Sequence, residues 1–300
     1  MRVRRCCSGW PAFTLIELMV VIAIISLLVA MIFPSLSRAR ELARTTICAT
    51  RQRNLAIGFT MYHAEYDGVM LPGRFGSSSS TNQYWVGNGW KYRPRWVAAM
   101  GAKTGAYPFD NPSPVKAGGG DRQDYEREVF ICPTAPDWVD ERNYAYGYNY
   151  QFLGNARNHP SGSGWRNFPV KVESLRTPAG TVVAADAMGT AAEYPTDQRL
   201  PYTNDGQDKQ SWGNHGWSLD PPRLTSVSDR GPGDGPADPR TGVHCRHLGK
   251  ANASFCDGHA EGLAPHDLGY DVLPDGRFTD NGRNLLFSGS GDNIDPPVVW

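Results

Sequence analysis

The sequence predicts an α+β fold in which a long N-terminal helix packs on an antiparallel β-sheet with long loops. An uncharged apolar run, interrupted by a single acid, occupies residues 13–33. Residues 34–66 continue with apolar side chains spaced by three or four, as on one face of a helix. Residues 67–300 are rich in glycine, proline and asparagine, and their short apolar runs between turn residues are typical of a loop-rich β domain.

The apolar run extends from Phe13 to Phe33. At about 1.5 Å per residue it forms a helix of roughly 31 Å, which is enough to span the hydrocarbon core of a membrane once. Three arginines and no acid precede it, at Arg2, Arg4 and Arg5. The positive-inside bias therefore predicts a cytoplasmic N-terminus and an extracytoplasmic position for the rest of the chain.

Glu17 is the acid inside this run. An ionised carboxylate in a spanning helix costs roughly 2.5–3.5 kcal/mol on insertion scales, so such residues usually have a function. A secretory signal peptide has no use for the acid, and the sequence Leu28–Met31 is a poor signal-peptidase site. Two other interpretations remain. In a plain anchor Glu17 reaches the headgroups, whereas in a precursor cut ahead of the run it lies beside a new amine at the positive end of the helix.

The basic leader, Ala12 and the sequence Phe13–Leu18 (FTLIEL) together resemble the cleavage and methylation signature of type IV prepilins and type II secretion pseudopilins. The resemblance implies that prepilin peptidase cuts between Ala12 and Phe13 and methylates the new amine. Most members of the family have glycine where this chain has Ala12. Pro34 falls where many pilins have a helix-kinking proline.

The same resemblance implies a pilin-like fold and a structural, non-enzymatic role in a type IV pilus or a type II secretion pseudopilus. The expected partners are other pilin or pseudopilin subunits, prepilin peptidase, the secretion or pilus assembly platform and the membrane. The precursor is expected in the inner membrane as a single-pass protein, and the mature chain in a cell-envelope filament. In that filament Glu17 of one subunit would pair with the Phe13 amine of its neighbour, since an unpaired buried charge is costly.

The predicted helix continues beyond the membrane as an amphipathic half. Pro34 can kink it without ending it, and Asp67–Gly68 supplies the stop. A coiled-coil stalk is the alternative, but the apolar positions show no sustained heptad. The chain therefore divides into a leader (1–12), a membrane half (13–33), an amphipathic half (34–66) and an extracytoplasmic domain (67–300).

Short apolar runs predict the strands of the extracytoplasmic domain. The candidates are Glu128–Cys132, Thr181–Ala185, Gly242–His247 and Ala253–His259. The last two are expected to form a hairpin around Leu248–Lys250. Aromatic residues that could contact a partner or a sugar polymer, or simply pack in the core, are Tyr84, Trp85, Trp90, Tyr92 and Trp96.

Four cysteines remain after loss of the leader, namely Cys48, Cys132, Cys245 and Cys256. If the predicted hairpin forms, Cys245 and Cys256 lie nearly opposite each other, and an oxidising compartment favours a disulfide between them. Cys48 would then join the helix to Cys132. Free buried thiols and metal ligation are the alternatives.

A His-x9-Asp-Gly pattern, made by His247, Asp257 and Gly258, follows in the C-terminal part. The pattern resembles the C-terminal motif of a large group of bacterial pseudopilin-like proteins, although the resemblance supplies no role for it. With the prepilin signature, Cys48, Phe130–Pro133 and Tyr146–Asn149, the likeness covers nearly the full length of the chain. Three hypotheses fit the residues. In the first, His247 hydrogen bonds to Asp257 on paired strands. In the second, a metal binds His247, Asp257 and His259, with His244 as an optional fourth ligand. In the third, the motif is hydrolytic, although no Gly-x-Ser-x-Gly or His-Glu-x-x-His accompanies it.

Zinc and calcium are the candidate cofactors. Major pseudopilins, which the N-terminus resembles, bind calcium through C-terminal loops, and acidic candidates here are Asp205, Asp208, Asp271, Asp275, Asp280, Asp292 and Asp295. None of them fits the EF-hand pattern, and such Asp residues are often turn residues.

The charges are balanced, with 30 basic and 30 acidic residues, so nothing indicates nucleic-acid binding. The runner-up function is a singly anchored extracytoplasmic protein that binds a metal or a glycan and does not polymerise. An anchored envelope hydrolase is a weaker third.

Overall fold

A computed structural model describes residues 13–76, 81–116, 122–158, 165–203, 208–231 and 237–298, with side chains undescribed at 155–158 and 165–167. The chain divides into two compact units, Met1–Ala43 and Arg44–Trp300. The fold is α+β, as predicted, with a long N-terminal helix followed by an antiparallel sheet.

Helix α1 comprises Leu15–Glu65 and contains Pro34 without ending there. Residues 13–40 are all exposed, including large apolar side chains throughout the predicted membrane half. By length and composition, α1 is the one helix among the described residues that could cross a membrane. Its position near the N-terminus fits a single-pass anchor and also a signal sequence.

Shorter elements follow α1. They are β1 (Gln83–Trp85), β2 (Trp90–Tyr92), α2 (Trp96–Thr104), β3 (Tyr146–Tyr148), α3 (Tyr150–Leu153), β4 (Gly154–Asn158), β5 (Trp165–Pro169), β6 (Val182–Gly189), β7 (Gly242–Val243), β8 (Ala251–Phe255) and β9 (Ala260–Leu263). β1 pairs with β2 and β4 with β5, each as a separate antiparallel pair.

The main sheet has the strand order β3-β6-β8-β9, and β7 also pairs with β6. Ala185 of β6 lies opposite Gly147 of β3 on one side and Ala253 of β8 on the other. All eight residues of β6 are buried, which explains why its sequence is almost continuously apolar.

The second unit buries one stripe of α1 against this sheet. Cys48, Gln52, Leu55, Phe59 and Tyr62 are buried, and their spacing of three and four residues places them on one face of the helix. The Ser254 hydroxyl of β8 donates to Gln52 Oε1 at 3.1 Å. The Phe59 ring stacks on Tyr148 of β3, with 5.2 Å between centroids.

One of the predicted strands is a turn in the structure. Glu128–Phe130 is a 3-10 turn, in which the Ile131 N–H donates to the Glu128 carbonyl at 3.0 Å. This turn places Phe130 in the core beside Tyr125, with ring centroids 5.9 Å apart. The predicted strand Thr181–Ala185 is confirmed in large part as the first half of β6.

The predicted hairpin of residues 242–247 and 253–259 is wrong. β7 and β8 do not pair with each other; both lie along the same edge of β6, where Val243 faces Ala187 and Ala253 faces Ala185. β6 is long enough to pair with both in succession. The residues between them leave the sheet in a tight turn, with positive φ at Leu248 (53°) and Gly249 (79°).

Candidate functional site

The N-terminal candidate site is centred on Glu17. Its carboxylate oxygen Oε2 accepts from the Thr14 N–H at 2.8 Å and from the Thr14 hydroxyl at 2.7 Å. The Glu17 N–H donates in return to Thr14 Oγ1 at 3.2 Å. This reciprocal arrangement is a capping box at the start of α1. Phe13 is 71% exposed, and Ala12 lies outside the described residues.

A second candidate site is a cluster of four buried side chains, Cys48, Cys132, Asp186 and His247, here called the buried cluster. They come from α1, from the chain after the Glu128–Phe130 turn, from β6 and from the loop after β7. One ligand atom of each lies within 4.8 Å of the others, so residues far apart in sequence meet in one small volume. All four belong to the unit Arg44–Trp300.

The distances within the buried cluster are similar to one another. Cys132 Sγ lies 3.5 Å from His247 Nε2, and Cys48 Sγ lies 3.4 Å from Asp186 Oδ1. His247 Nε2 lies 3.5 Å from Asp186 Oδ2. These atoms belong to two thiols, an imidazole and a carboxylate, and all three kinds of group bind zinc in proteins.

Three neighbouring residues orient the cluster. Arg246 donates through Nε to Cys132 Sγ at 3.1 Å and through a terminal nitrogen to Asp186 Oδ1 at 2.6 Å. The Asn252 N–H donates to Asp186 Oδ2 at 2.8 Å. The Tyr146 hydroxyl lies 3.5 Å from Cys48 Sγ. The carboxylate and both thiols therefore contact groups outside the cluster.

Burial and neighbouring charges shift the pKa values of Asp186 and of the two thiols in the buried cluster. Burial raises the pKa of the Asp186 carboxyl, and the Arg246 guanidinium opposes that rise. Burial also raises the pKa of the Cys48 thiol. The pKa of Cys132 is lowered by its hydrogen bond with Cys48 and then by Arg246 and His247. Of the two thiols, Cys132 is therefore the one that loses its proton more readily.

The His-x9-Asp-Gly motif does not form one site. His247 is buried and faces Asp186, whereas Asp257 is at the other end of β8, where its Oδ1 lies 2.6 Å from Nδ1 of the part-exposed His259. The predicted His247–Asp257 bond is therefore wrong, and so is a metal site that joins His247 to Asp257 and His259. β8 lies between His247 and Asp257. The nine residues that separate them are this strand and the turn at each of its ends.

Gly258 makes the second of these turns. Its φ is +96°, a backbone conformation that side chains disfavour, and its N–H donates to the Phe255 carbonyl at 3.0 Å. His244, the other candidate ligand, stacks on Trp138 with 5.4 Å between ring centroids. It is not a member of the buried cluster.

All four predicted disulfide cysteines are free thiols in the structure. The His244 N–H, next to Cys245, donates to the Asp186 carbonyl, whereas the Cys256 N–H donates to the Thr181 carbonyl. Five residues of extended β6 separate these anchor points, which is roughly 16 Å at about 3.3 Å per residue. The predicted Cys245–Cys256 bridge is therefore excluded by the strand order. Cys48 and Cys132 do lie together, as members of the buried cluster.

The acidic residues considered for calcium are mostly engaged in loop contacts. Asp275, Asp280, Asp292 and Asp295 each pair with an arginine. Asp271 accepts from the Thr279 hydroxyl and Asp208 from the Gln210 N–H, while Asp205 lies outside the described residues. Within the described ranges, the buried cluster is the group of His, Cys, Asp and Glu side chains close enough to share an ion.

Sequence reasoning missed Asp186 and Arg246. Asp186 had a recognisable signal, since it is the lone acid in the apolar run Val182–Gly189. A charged residue in a fully buried strand requires a partner or a metal. Arg246 had no comparable signal, because it lies in a loop whose position depends on how β7 and β8 pair with β6.

Four of the five predicted aromatic residues form two groups, and the fifth, Tyr84, is half-buried beside Phe75. Trp96 and Tyr92 are buried, Trp96 in the core beside Phe59. Trp85 and Trp90, on β1 and β2, are 58% and 53% exposed, with ring centroids 5.8 Å apart in an edge-to-face arrangement.

Residues 37–180 match the model of a protein family described as a protein of unknown function (DUF1559). The match includes Cys48 and Cys132 and stops just before β6. No curated protein and no solved structure matches the chain.

Proposed function

We propose that the protein is a structural subunit of a type IV pilus or a type II secretion pseudopilus. Prepilin peptidase cuts it between Ala12 and Phe13, the first half of α1 anchors it in the inner membrane, and α1 then packs with the helices of other subunits. The FTLIEL sequence after Ala12 supports this proposal, as does the α+β arrangement of a long helix followed by an antiparallel sheet.

One observation carries the proposal. Every residue from 13 to 40 is exposed, and the large side chains of the first half are apolar on all sides of the helix. A helix that is apolar all round needs lipid or other helices as neighbours. A membrane provides the first environment and a bundle of identical helices provides the second.

Glu17 has two candidate roles that a conservative substitution separates. It caps α1 with Thr14, and in the proposed filament its charge pairs with the Phe13 amine of a neighbouring subunit. Glutamine can replace glutamate in a capping box but carries no charge. The two variants Glu17→Gln and Thr14→Ala therefore remove one role each.

The test is to express the full-length chain with its prepilin peptidase and assembly platform, and to measure cleavage by mass spectrometry and assembly in sheared or cross-linked envelope fractions. We expect Glu17→Gln and Glu17→Ala to be cleaved but not assembled, whereas Thr14→Ala is cleaved and assembled. Normal assembly of Glu17→Gln would refute the charge-pair role. Native protein recovered with its leader attached, and as single chains, would refute the subunit function itself.

The exposed tryptophans favour a second candidate, the anchored glycan-binding protein. Exposed aromatic rings are suitable platforms for the apolar faces of sugars, and Trp85 and Trp90 lie side by side on one hairpin. Co-sedimentation of the full chain with insoluble cell-wall polysaccharide tests this function. Retention that is lost in Trp85→Ala/Trp90→Ala supports it, and equal sedimentation of both chains excludes it.

A further inference from the structure

We propose that the buried cluster is a zinc site, in which Cys48, Cys132, Asp186 and His247 are the four ligands and the metal joins α1 to the central strand β6. This inference does not depend on the proposed filament, since it concerns only the unit Arg44–Trp300.

Two distances between ligand atoms match the edges of a tetrahedron around zinc. Zinc binds sulfur at about 2.3 Å and nitrogen or oxygen at about 2.0–2.2 Å, so a tetrahedral edge from sulfur to nitrogen or oxygen is about 3.5 Å. The observed distances are 3.5 Å for Cys132 to His247 and 3.4 Å for Cys48 to Asp186. His247 Nε2 lies 3.5 Å from Oδ2, the other oxygen of the Asp186 carboxylate, and one ligand atom of each of the four residues lies within 4.8 Å of the others.

The state of His247 points independently to a ligand. Its side chain is 0% exposed, and its Nε2 is directed at a sulfur and an oxygen that are each 3.5 Å away. For the oxygen of Asp186 this separation is at the outer limit of a hydrogen bond, whereas for the larger sulfur of Cys132 it is an ordinary one. Its Nδ1 has no hydrogen-bond partner among the described residues. A metal would replace these two contacts at Nε2 with a direct ligand bond, and Nδ1 would remain the protonated ring nitrogen.

The formal charges balance when zinc is present. Two thiolates and the Asp186 carboxylate carry three negative charges, and a divalent zinc with the Arg246 guanidinium carries three positive ones. Arg246 donates to both an oxygen and a sulfur of the cluster, at 2.6 and 3.1 Å. Hydrogen bonds of this kind from outside the ligand shell fix the orientation of metal ligands.

The ligand set also selects the metal. Thiolates and imidazole are poor ligands for calcium and magnesium, which take oxygen, whereas a four-coordinate site with two sulfurs is typical of zinc. The site is closed, because all four residues are buried and no ligand position faces solvent. A closed four-ligand site is structural, so the metal would stabilise the attachment of α1 to β6.

The first experiment is elemental analysis of the full-length chain purified in detergent without chelator. We expect about one zinc per chain, and loss of that zinc in Cys132→Ser and in His247→Ala. Cys256→Ser is the matched control, because Cys256 is a buried thiol outside the cluster, and it should retain the metal. Zinc retained by both cluster variants would overturn the assignment.

A second measurement does not depend on the folding of any variant. Cobalt replaces zinc in the wild-type chain, and the absorption spectrum should then show the visible bands of tetrahedral cobalt and an ultraviolet sulfur-to-cobalt band. Non-reducing peptide mapping is done on the same sample. Absence of metal together with free thiols would refute the proposal, and so would a disulfide between Cys48 and Cys132, since it removes two of the ligands.

Discussion

The guanidinium of Arg246 donates to the carboxylate of Asp186 at 2.6 Å, and their side chains are only 4% and 0% exposed. Arg246 also donates to the carbonyl oxygens of Ala145, on the segment leading into β3, and of Ala187 on β6. The pair therefore joins a loop residue to the middle of the sheet. Removing one member of such a pair leaves a buried charge without its counterion.

Asp186→Asn should destabilise the fold by about 3–5 kcal/mol, because it leaves Arg246 buried and unpaired. The measurement is urea unfolding of the full chain followed by tryptophan fluorescence, with a chelator present so that bound metal does not contribute. Asp67→Asn is the control, since Asp67 and Lys171 form an ion pair with side chains 93% and 49% exposed. That variant should unfold at the wild-type midpoint. Equal effects of the two substitutions would contradict the prediction.

Gly189→Ala should also destabilise the fold, by at least about 2 kcal/mol. Gly189 ends β6 with φ 67° and ψ −152°, a conformation essentially restricted to glycine, and an added methyl group would overlap the Asn214 carbonyl. The control is Gly180→Ala, where the nearest atom to the new methyl group is 3.7 Å away. Thermal unfolding should separate the two variants, and an unchanged midpoint for Gly189→Ala would show that this backbone region can rearrange.

The stability of the fold should decrease at mildly acidic pH because of His215. Burial lowers the pKa of His215 well below 6.5, and the nearby cations Lys209, Arg142, Arg95 and Arg74 lower it further. The folded protein therefore holds the imidazole neutral, while the unfolded chain binds a proton below about pH 6.5. Stability is retained above that pH, and His215 removes about 1.4 kcal/mol for each pH unit below it, down to its folded pKa.

Urea unfolding at several values between pH 7.5 and 5 measures this slope. His215→Asn should reduce the slope without abolishing it, because burial also lowers the pKa of His244 well below 6.5. Asparagine suits the backbone at residue 215, since φ is 53°. His266→Asn, at a side chain that is 94% exposed, is the control and should keep the wild-type slope. A wild-type slope in His215→Asn would assign the effect to other groups.

Cys245 and Cys256 should not be linked in the native protein. They flank opposite ends of the β6 edge, next to Asp186 and Thr181 respectively. A disulfide needs α-carbons less than about 7 Å apart. Alkylation and peptide mapping of the full chain without reductant should recover each cysteine unlinked to the other. A cross-linked peptide pair would require β7 and β8 to leave their places beside β6.

The long helix was predictable because its signal is local. The apolar run and the spacing of Leu55, Phe59 and Tyr62 are periodic within α1, and the structure places the helix at Leu15–Glu65. β6 was partly predictable for the same reason, since Thr181–Ala185 is a short β-branched and apolar run. The Thr14–Glu17 capping box also has a local signal, since a threonine is followed three residues later by a glutamate at the start of the apolar run.

The pairing of β7 and β8 was not predictable from the same kind of pattern. Two short runs around Leu248–Gly249 have the appearance of a hairpin, and the turn itself is present. The strands nevertheless pair with β6, since the buried edge of an eight-residue strand offers more hydrogen bonds than two short strands offer each other. Because of this pairing, Cys256 and Asp257 lie far from Cys245 and His247.

The α+β class, the long helix and the lone acid at its start follow from the amino-acid sequence alone, because they depend on composition and on periodicity within one segment. The meeting of Cys48, Cys132, Asp186 and His247, and the separation of the two halves of the His-x9-Asp-Gly motif, follow from the folded structure. Contacts between residues far apart in sequence depend on which strands share an edge. The spacing of apolar residues within one segment does not show which strands pair with each other.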